Sequence, residues 1–225
     1  MLGRRQAHYS LGEEIANSTI HGFGAVLSAL GLALLIIRAA RIGDPWCMVS
    51  FTIFGATMVL LYVSSTLYHA MIPPRARKVF KILDHAAIYL LIAGSYTPFL
   101  LVSLRGPWGW SLIGIVWGLA IAGVLFKVFY AGRYKLVSTL IYLGLGWLCV
   151  VAIKPLLSQV PAGGLIWMLA GGLAYSGGTV FYLWRGMKYH HAVWHIFVLI
   201  GTTCHFWAVY QYVGGPLLAV SETSF

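Results

Sequence analysis

The chain has 225 residues, of which 60% are hydrophobic and only 9% charged, and its formal net charge is +10. An ordinary soluble domain carries close to a quarter charged residues, so that class is excluded. The basic excess lies between apolar stretches, where anionic lipid headgroups account for it better than nucleic acid does.

About 20 apolar residues cross a bilayer as a helix. Seven such stretches follow one another, at 18–37, 46–70, 83–104, 108–128, 136–156, 163–184 and 191–213. Charge, proline or glycine fills each break, as in RAARIGDP, PPRARK, AGRYK and RGMKYHH. An open sheet would leave backbone groups unpaired in lipid, so the expectation is an all-α membrane protein, a seven-transmembrane-helix bundle. Residues 1–17 read as a polar N-terminal arm with no cleavable signal peptide. Residues 214–225 read as a short tail.

Glu14, Asn17 and His21 approach or enter the first span, where they either cap helix 1 or support a site from behind. The second span closes on Ser65 and His69, one turn apart. The third opens on Asp84, the only acidic residue inside any of the seven stretches. Its neighbour His85 points about 100° away and is not expected to be a ligand. Pro98, one turn from Gly94, predicts a kink, either for packing or to open a cavity. The middle spans are rich in glycine, which suits close helix packing. Cys47, Cys149 and Cys204 lie in separate spans without CxxC spacing and read as small buried hydrophobes.

HAVWH opens the seventh span, with His191 and His195 on one helix face at the spacing that two ligands of one ion require. His205 shares roughly that face but lies about 21 Å deeper by helical rise, and is expected to be a satisfied buried histidine. His190 and His8 read as interfacial or exposed.

Eleven of the fifteen Lys and Arg fall on the side shared by the N-terminus and the even-numbered loops, and four on the other. The positive-inside rule then places the N-terminus in the cytoplasm and the C-terminus outside. Threading the chain that way brings His69, Asp84, His191, His195 and the Glu14–His21 group to one depth, near the cytoplasmic leaflet. Three imidazoles with a fourth position open is a common catalytic zinc arrangement. A cation so held acidifies water and polarises a carbonyl. Zn2+ is preferred because the donors are imidazoles with no ligating carboxylate. HAVWH carries Ala192 where a metalloprotease helix carries its glutamate, which makes Asp84 the candidate base. It would otherwise be a carboxylate favoured by the helix dipole or paired with Lys81. Ser65 is the candidate to orient a ligand or to donate to a developing oxyanion.

Four ordered motifs carry a resemblance over nearly the whole chain: EEIANSTIHG, STLYHA, KILDHAAIYLLIAGSYTPF and HAVWHIFVLIGTTCHF. Together they resemble the haemolysin III family, within the wider progestin and adipoQ receptor group. The SxxxH, Asp and HxxxH set links that group to alkaline ceramidases in a proposed superfamily of membrane hydrolases. The resemblance implies seven helices with a cytoplasmic N-terminus. It implies zinc ligands at His69, His191 and His195, an aspartate near zinc-activated water at Asp84, and the motif serine at Ser65. The chain lacks the extended N-terminal region of the receptor relatives, which points to a compact bacterial-type member in the inner (cytoplasmic) membrane.

The function expected first is a zinc-dependent hydrolase of a lipid amide or ester, with membrane lipids as partners and a part in lipid homeostasis. A non-catalytic, zinc-stabilised lipid sensor is the second reading. A cytolytic pore is the third, disfavoured as a monomeric channel because helices 4 to 6 show no hydrophilic stripe.

Overall fold

The protein is described by a computed structural model over residues 9–184 and 186–215. Its elements in order are α1 (Leu11–Ile42), α2 (Pro45–Ala70), α3 (Pro74–Pro98), a π-helical turn (Phe99–Ser103), α4 (Pro107–Tyr130), α5 (Lys135–Gly146), a 3-10 turn (Trp147–Ala152), α6 (Ile153–Gln159), α7 (Ala162–Leu183) and α8 (His190–Tyr212). Among the described residues, seven units are long and apolar enough to cross a membrane, α5 through α6 counting as one, and there is no strand. The chain is an integral, multi-pass, helical membrane protein.

Local signals set the helix ends. Ser10 and Glu13 form a reciprocal capping box: the Ser10 hydroxyl accepts from the Glu13 amide, and the Ser10 amide donates to the Glu13 carboxylate at 2.9 Å. α1 stops at Gly43, whose φ of 75° is a left-handed C-cap that glycine adopts without strain. Asp44 then caps α2, accepting from the Trp46 amide at 2.9 Å, and Pro45, Pro74 and Pro107 open their helices where no N–H is needed.

Two elements begin earlier than their apolar stretches. α1 starts at Leu11 rather than at residue 18, so Glu14 and Asn17 ride on the helix. α3 starts at Pro74 rather than at residue 83. Asp84 therefore sits about three turns into α3, beyond reach of the helix's N-terminal dipole.

The fifth span is not the continuous helix that its hydropathy implies. The Tyr96 hydroxyl, from α3, enters its hydrogen-bond ladder. It donates to the Gly146 carbonyl at 2.6 Å, with the Leu145 carbonyl at 3.0 Å, and accepts from the Cys149 amide at 2.9 Å. A side chain inserted into the ladder is a recognised cause of a helix break, and Gly144 and Gly146 weaken the helix at the same place. At Pro98 the expected distortion takes the form of the π turn that follows it.

Helices α1, α2 and α3 pack in succession, α7 pairs with α8, and α8 returns to α1 to close the bundle. Small residues permit the close approaches: a Cβ on Gly94 would run into Thr57 of α2, and one on Gly123 into the Tyr89 ring. The main core lies along α2, α3 and α8, with Phe51, Phe54, Met58 and Tyr62 at 2% exposure or less. At the far end, Arg38 donates to the carbonyls of Val213 (3.3 Å) and Gly215 (2.6 Å), tying α1 to the end of α8. Between α3, the broken fifth span, α7 and α8 lies a chiefly apolar cavity of about 350 Å³.

Candidate metal centre

The last turn of α2 and the first two turns of α8 meet at the end of the bundle where α1 begins. His69, His191 and His195 converge there, with one potential ligand atom from each lying within 4.8 Å of the others. Their ring centroids are 5.2 Å (His69–His191), 5.1 Å (His69–His195) and 4.4 Å (His191–His195) apart. All three are buried.

α1 supplies the groups that orient them. His69 Nδ1 lies 2.7 Å from a Glu14 carboxylate oxygen, and the other oxygen of Glu14 pairs with Arg77. With Nδ1–H donating to Glu14, Nε2 carries the lone pair, and that atom is buried without a hydrogen-bond partner. The Asn17 amide nitrogen lies 3.5 Å from the same Nδ1, and the Asn17 carbonyl accepts from His195 Nδ1 at 3.3 Å. His191 Nδ1 is also buried and unpartnered. A carboxylate or carbonyl holding the far nitrogen of an imidazole is the usual support of a metal-ligating histidine. Unpaired buried nitrogens beside one another are unfavourable unless something takes up their lone pairs. The donor set thus fits a metal ion: three imidazoles, their orienting partners, and no thiolate among them. The capping of α1 belongs to Ser10 and Glu13, so Glu14 and Asn17 serve the histidines.

Asp84 is buried and borders the cavity together with His191 and His195. Its Oδ2 lies 3.5 Å from His85 Nδ1, which also faces the Lys81 carbonyl at 2.7 Å. Ser65 is fully buried one turn before His69, with no partner for its hydroxyl, and it does not border the cavity. His205 borders the cavity farther along and donates from Nε2 to the Met168 carbonyl at 3.2 Å, as a satisfied buried histidine would. His190 departs from its reading as interfacial or exposed. It is 7% exposed, with Nδ1 3.0 Å from the Phe181 carbonyl, because α7 and α8 pack closely behind the loop joining them. His8 lies outside the described residues.

Two residues near the site carried no signal in the sequence. Tyr9 stacks on His191 at 5.0 Å between centroids and covers the histidines from beyond the end of α1; burial pushes its phenol above the ordinary range. Lys127, inside α4, is 1% exposed and donates to the Ser138 hydroxyl at 2.5 Å. Neither lies in a spacing that predicts its partner.

The family profile described as Haemolysin-III related matches residues 9–206. The chain is 51% identical to Hemolysin-3 of Bacillus cereus over 201 residues, covering 89% of this chain and 92% of that protein. It is 48% identical to a Hemolysin-3 homolog of Bacillus subtilis (strain 168) over 204 residues, 91% of this chain and 96% of the relative. It is 29% identical to the human Monocyte to macrophage differentiation factor over 208 residues, 89% and 84% of the two chains. A seven-span bundle with these motifs, matched nearly end to end, belongs to the haemolysin III family.

Proposed function

We propose that the protein is a zinc-dependent hydrolase of a membrane lipid amide or ester. The observation that carries this reading is the convergence of three imidazoles, two of which border one end of a long apolar cavity together with Asp84. Along α3 the cavity wall runs from Asp84 to Phe99, about 22 Å by helical rise. That shape suits an acyl chain laid along the bundle with its carbonyl at the histidines.

Zinc held by His69, His191 and His195 with a position open would supply a Lewis acid that acidifies water and polarises a carbonyl. Glu14 and Asn17 fix the rings, and the buried, chiefly apolar surroundings exclude bulk water. Asp84, on the cavity wall shared with His191 and His195, would take the proton of an attacking water and return it to the leaving group. Ser65, buried one turn before His69 and outside the cavity lining, is not given contact with substrate in this scheme. The charge asymmetry supports a cytoplasmic N-terminus and a site near the inner leaflet, in the cytoplasmic membrane of a bacterial cell.

The test is metal content followed by turnover of a lipid panel on the same purified sample. The expected result is about one zinc per chain and release of fatty acid. Zinc without turnover, with Asp84→Ala folded and active in cells, would favour the second reading: an ion that only ties α2 to α8 in a lipid sensor. Two relatives bear the name Hemolysin-3. Leakage of liposomes by the pure protein would support a lytic pore in its place.

A further inference from the structure

We propose that His21 is a catalytic residue of this site, donating a hydrogen bond to the substrate carbonyl oxygen as negative charge gathers on it. The inference rests on the hydrolase reading and names a part of its chemistry which the zinc ligands and Asp84 leave open.

His21 stands one turn beyond Asn17 on the inward face of α1, 3% exposed. Its ring stacks on that of His195, with centroids 3.5 Å apart and planes 14° apart, and its edge meets Tyr62 at 5.0 Å. It borders the same cavity as Asp84, His191 and His195. Neither ring nitrogen has a partner at full hydrogen-bond geometry, the His195 backbone being the polar group the ring faces. A neutral imidazole carries one N–H donor and one acceptor nitrogen. Either tautomer therefore leaves a donor without a well-formed bond beside the cavity.

The neighbours on α1 sharpen the contrast. Glu14 spends its carboxylate on His69 and Arg77, and the Asn17 backbone carbonyl accepts from His195. His21 spends neither nitrogen on those rings. An unused buried donor is unfavourable, and a ligand oxygen arriving in the cavity is the group that relieves it. Ser65, the other candidate for this role, does not reach the cavity wall.

The oxygen of water bonds to the carbonyl carbon, and the π pair moves onto the carbonyl oxygen, which accepts the His21 N–H. The water proton passes to the Asp84 carboxylate. Collapse of the tetrahedral species breaks the C–N or C–O bond, and the proton on Asp84 goes to the departing amine or alcohol. A donor aimed at developing charge is worth about 10²–10³ in kcat.

The experiment uses the full zinc-loaded chain in lipid nanodiscs, an N-acyl amide with a fluorescent acyl chain, and its phosphinate isostere. Two variants serve: His21→Phe, which keeps an aromatic ring against His195, and His21→Gln, which keeps an amide donor. For His21→Phe the expected result is a kcat about 100-fold or more lower, KM within a few-fold, and zinc content unchanged. Affinity for the isostere should fall in parallel while affinity for the amide holds. His21→Gln should recover at least about tenfold of both losses, and it decides the matter if the phenylalanine variant does not fold. His21→Phe turning over and binding the isostere like wild type overturns the proposal. So does loss of zinc in proportion to activity, which would make His21 a support for His195. If wild type hydrolyses neither the amide nor the matching ester and binds the isostere no tighter than the amide, the hydrolase reading falls and this proposal with it.

Discussion

Glu14 and Asp84 are both buried carboxylates at the same end of the bundle, and their surroundings give them different tasks. Glu14 is held between Arg77 and the Nδ1 of His69, so its replacement acts through that ring. Glu14→Gln should lower zinc affinity about 10–100-fold, as loss of a ligand's supporting partner typically does. His69→Ala should abolish stoichiometric zinc altogether. Competition with a chromophoric chelator would read both. Asp84 touches no ligand nitrogen of the histidine cluster and borders the cavity. Asp84→Asn should therefore keep zinc and thermal stability while turnover falls by 10² or more. The same activity loss accompanied by loss of zinc would return Asp84 to a structural role. Much of this site was legible in the chain itself. The i,i+4 spacing of His191 and His195 and the turn joining Ser65 to His69 are local patterns, which helical geometry makes meaningful without knowledge of packing. The partners of Glu14, the burial of His190 and the stacking of Tyr9 depend on which helices touch. Local periodicity carries no such information.

For whole helices, hydropathy reports the stretch that lipid would surround, not the length that hydrogen bonding will extend. That is why α3 could be placed by its apolar run and yet begins at Pro74, in a charged segment that still helps form the helix. The break in the fifth span was hidden for a different reason. Its cause is Tyr96 on another helix, and GLG alone does not specify a 3-10 turn. Tyr96→Phe removes the partner of the Cys149 amide and of the Gly146 carbonyl. Leaving such groups unsatisfied should destabilise the protein by about 1–3 kcal/mol, read as a lower midpoint in a thermal or denaturant melt of the detergent-solubilised protein. An unchanged midpoint would mean that the span anneals into regular helix. At the α2–α3 contact, Gly94→Leu should destabilise by about 1–3 kcal/mol or more, because Thr57 occupies the space that the new side chain needs. Gly118 has nothing near its notional Cβ and provides the control, with Gly118→Leu close to neutral in packing.

The seven-span architecture follows from composition, since a chain so apolar has few other ways to satisfy its backbone. For its direction through the membrane we propose, from the charge asymmetry alone, a cytoplasmic N-terminus. A reporter fused to each terminus should be active on opposite sides, the N-terminal fusion inside; the reverse result would move the histidines to the outer leaflet. Removal of metal with a membrane-permeant chelator should lower the melting temperature, because an ion on His69, His191 and His195 would link α2 to α8 and bind only the folded chain. His69 and His191 are separated by more than half of the sequence, and α8 is the last helix among the described residues. During synthesis, six spans are therefore made before the closing pair of histidines appears, and His69, at the end of the second, waits through the four that follow with those two histidines still untranslated. A capacity for metal at these three histidines would thus arise only with α8: a product arrested earlier would lack two of the three candidate ligands.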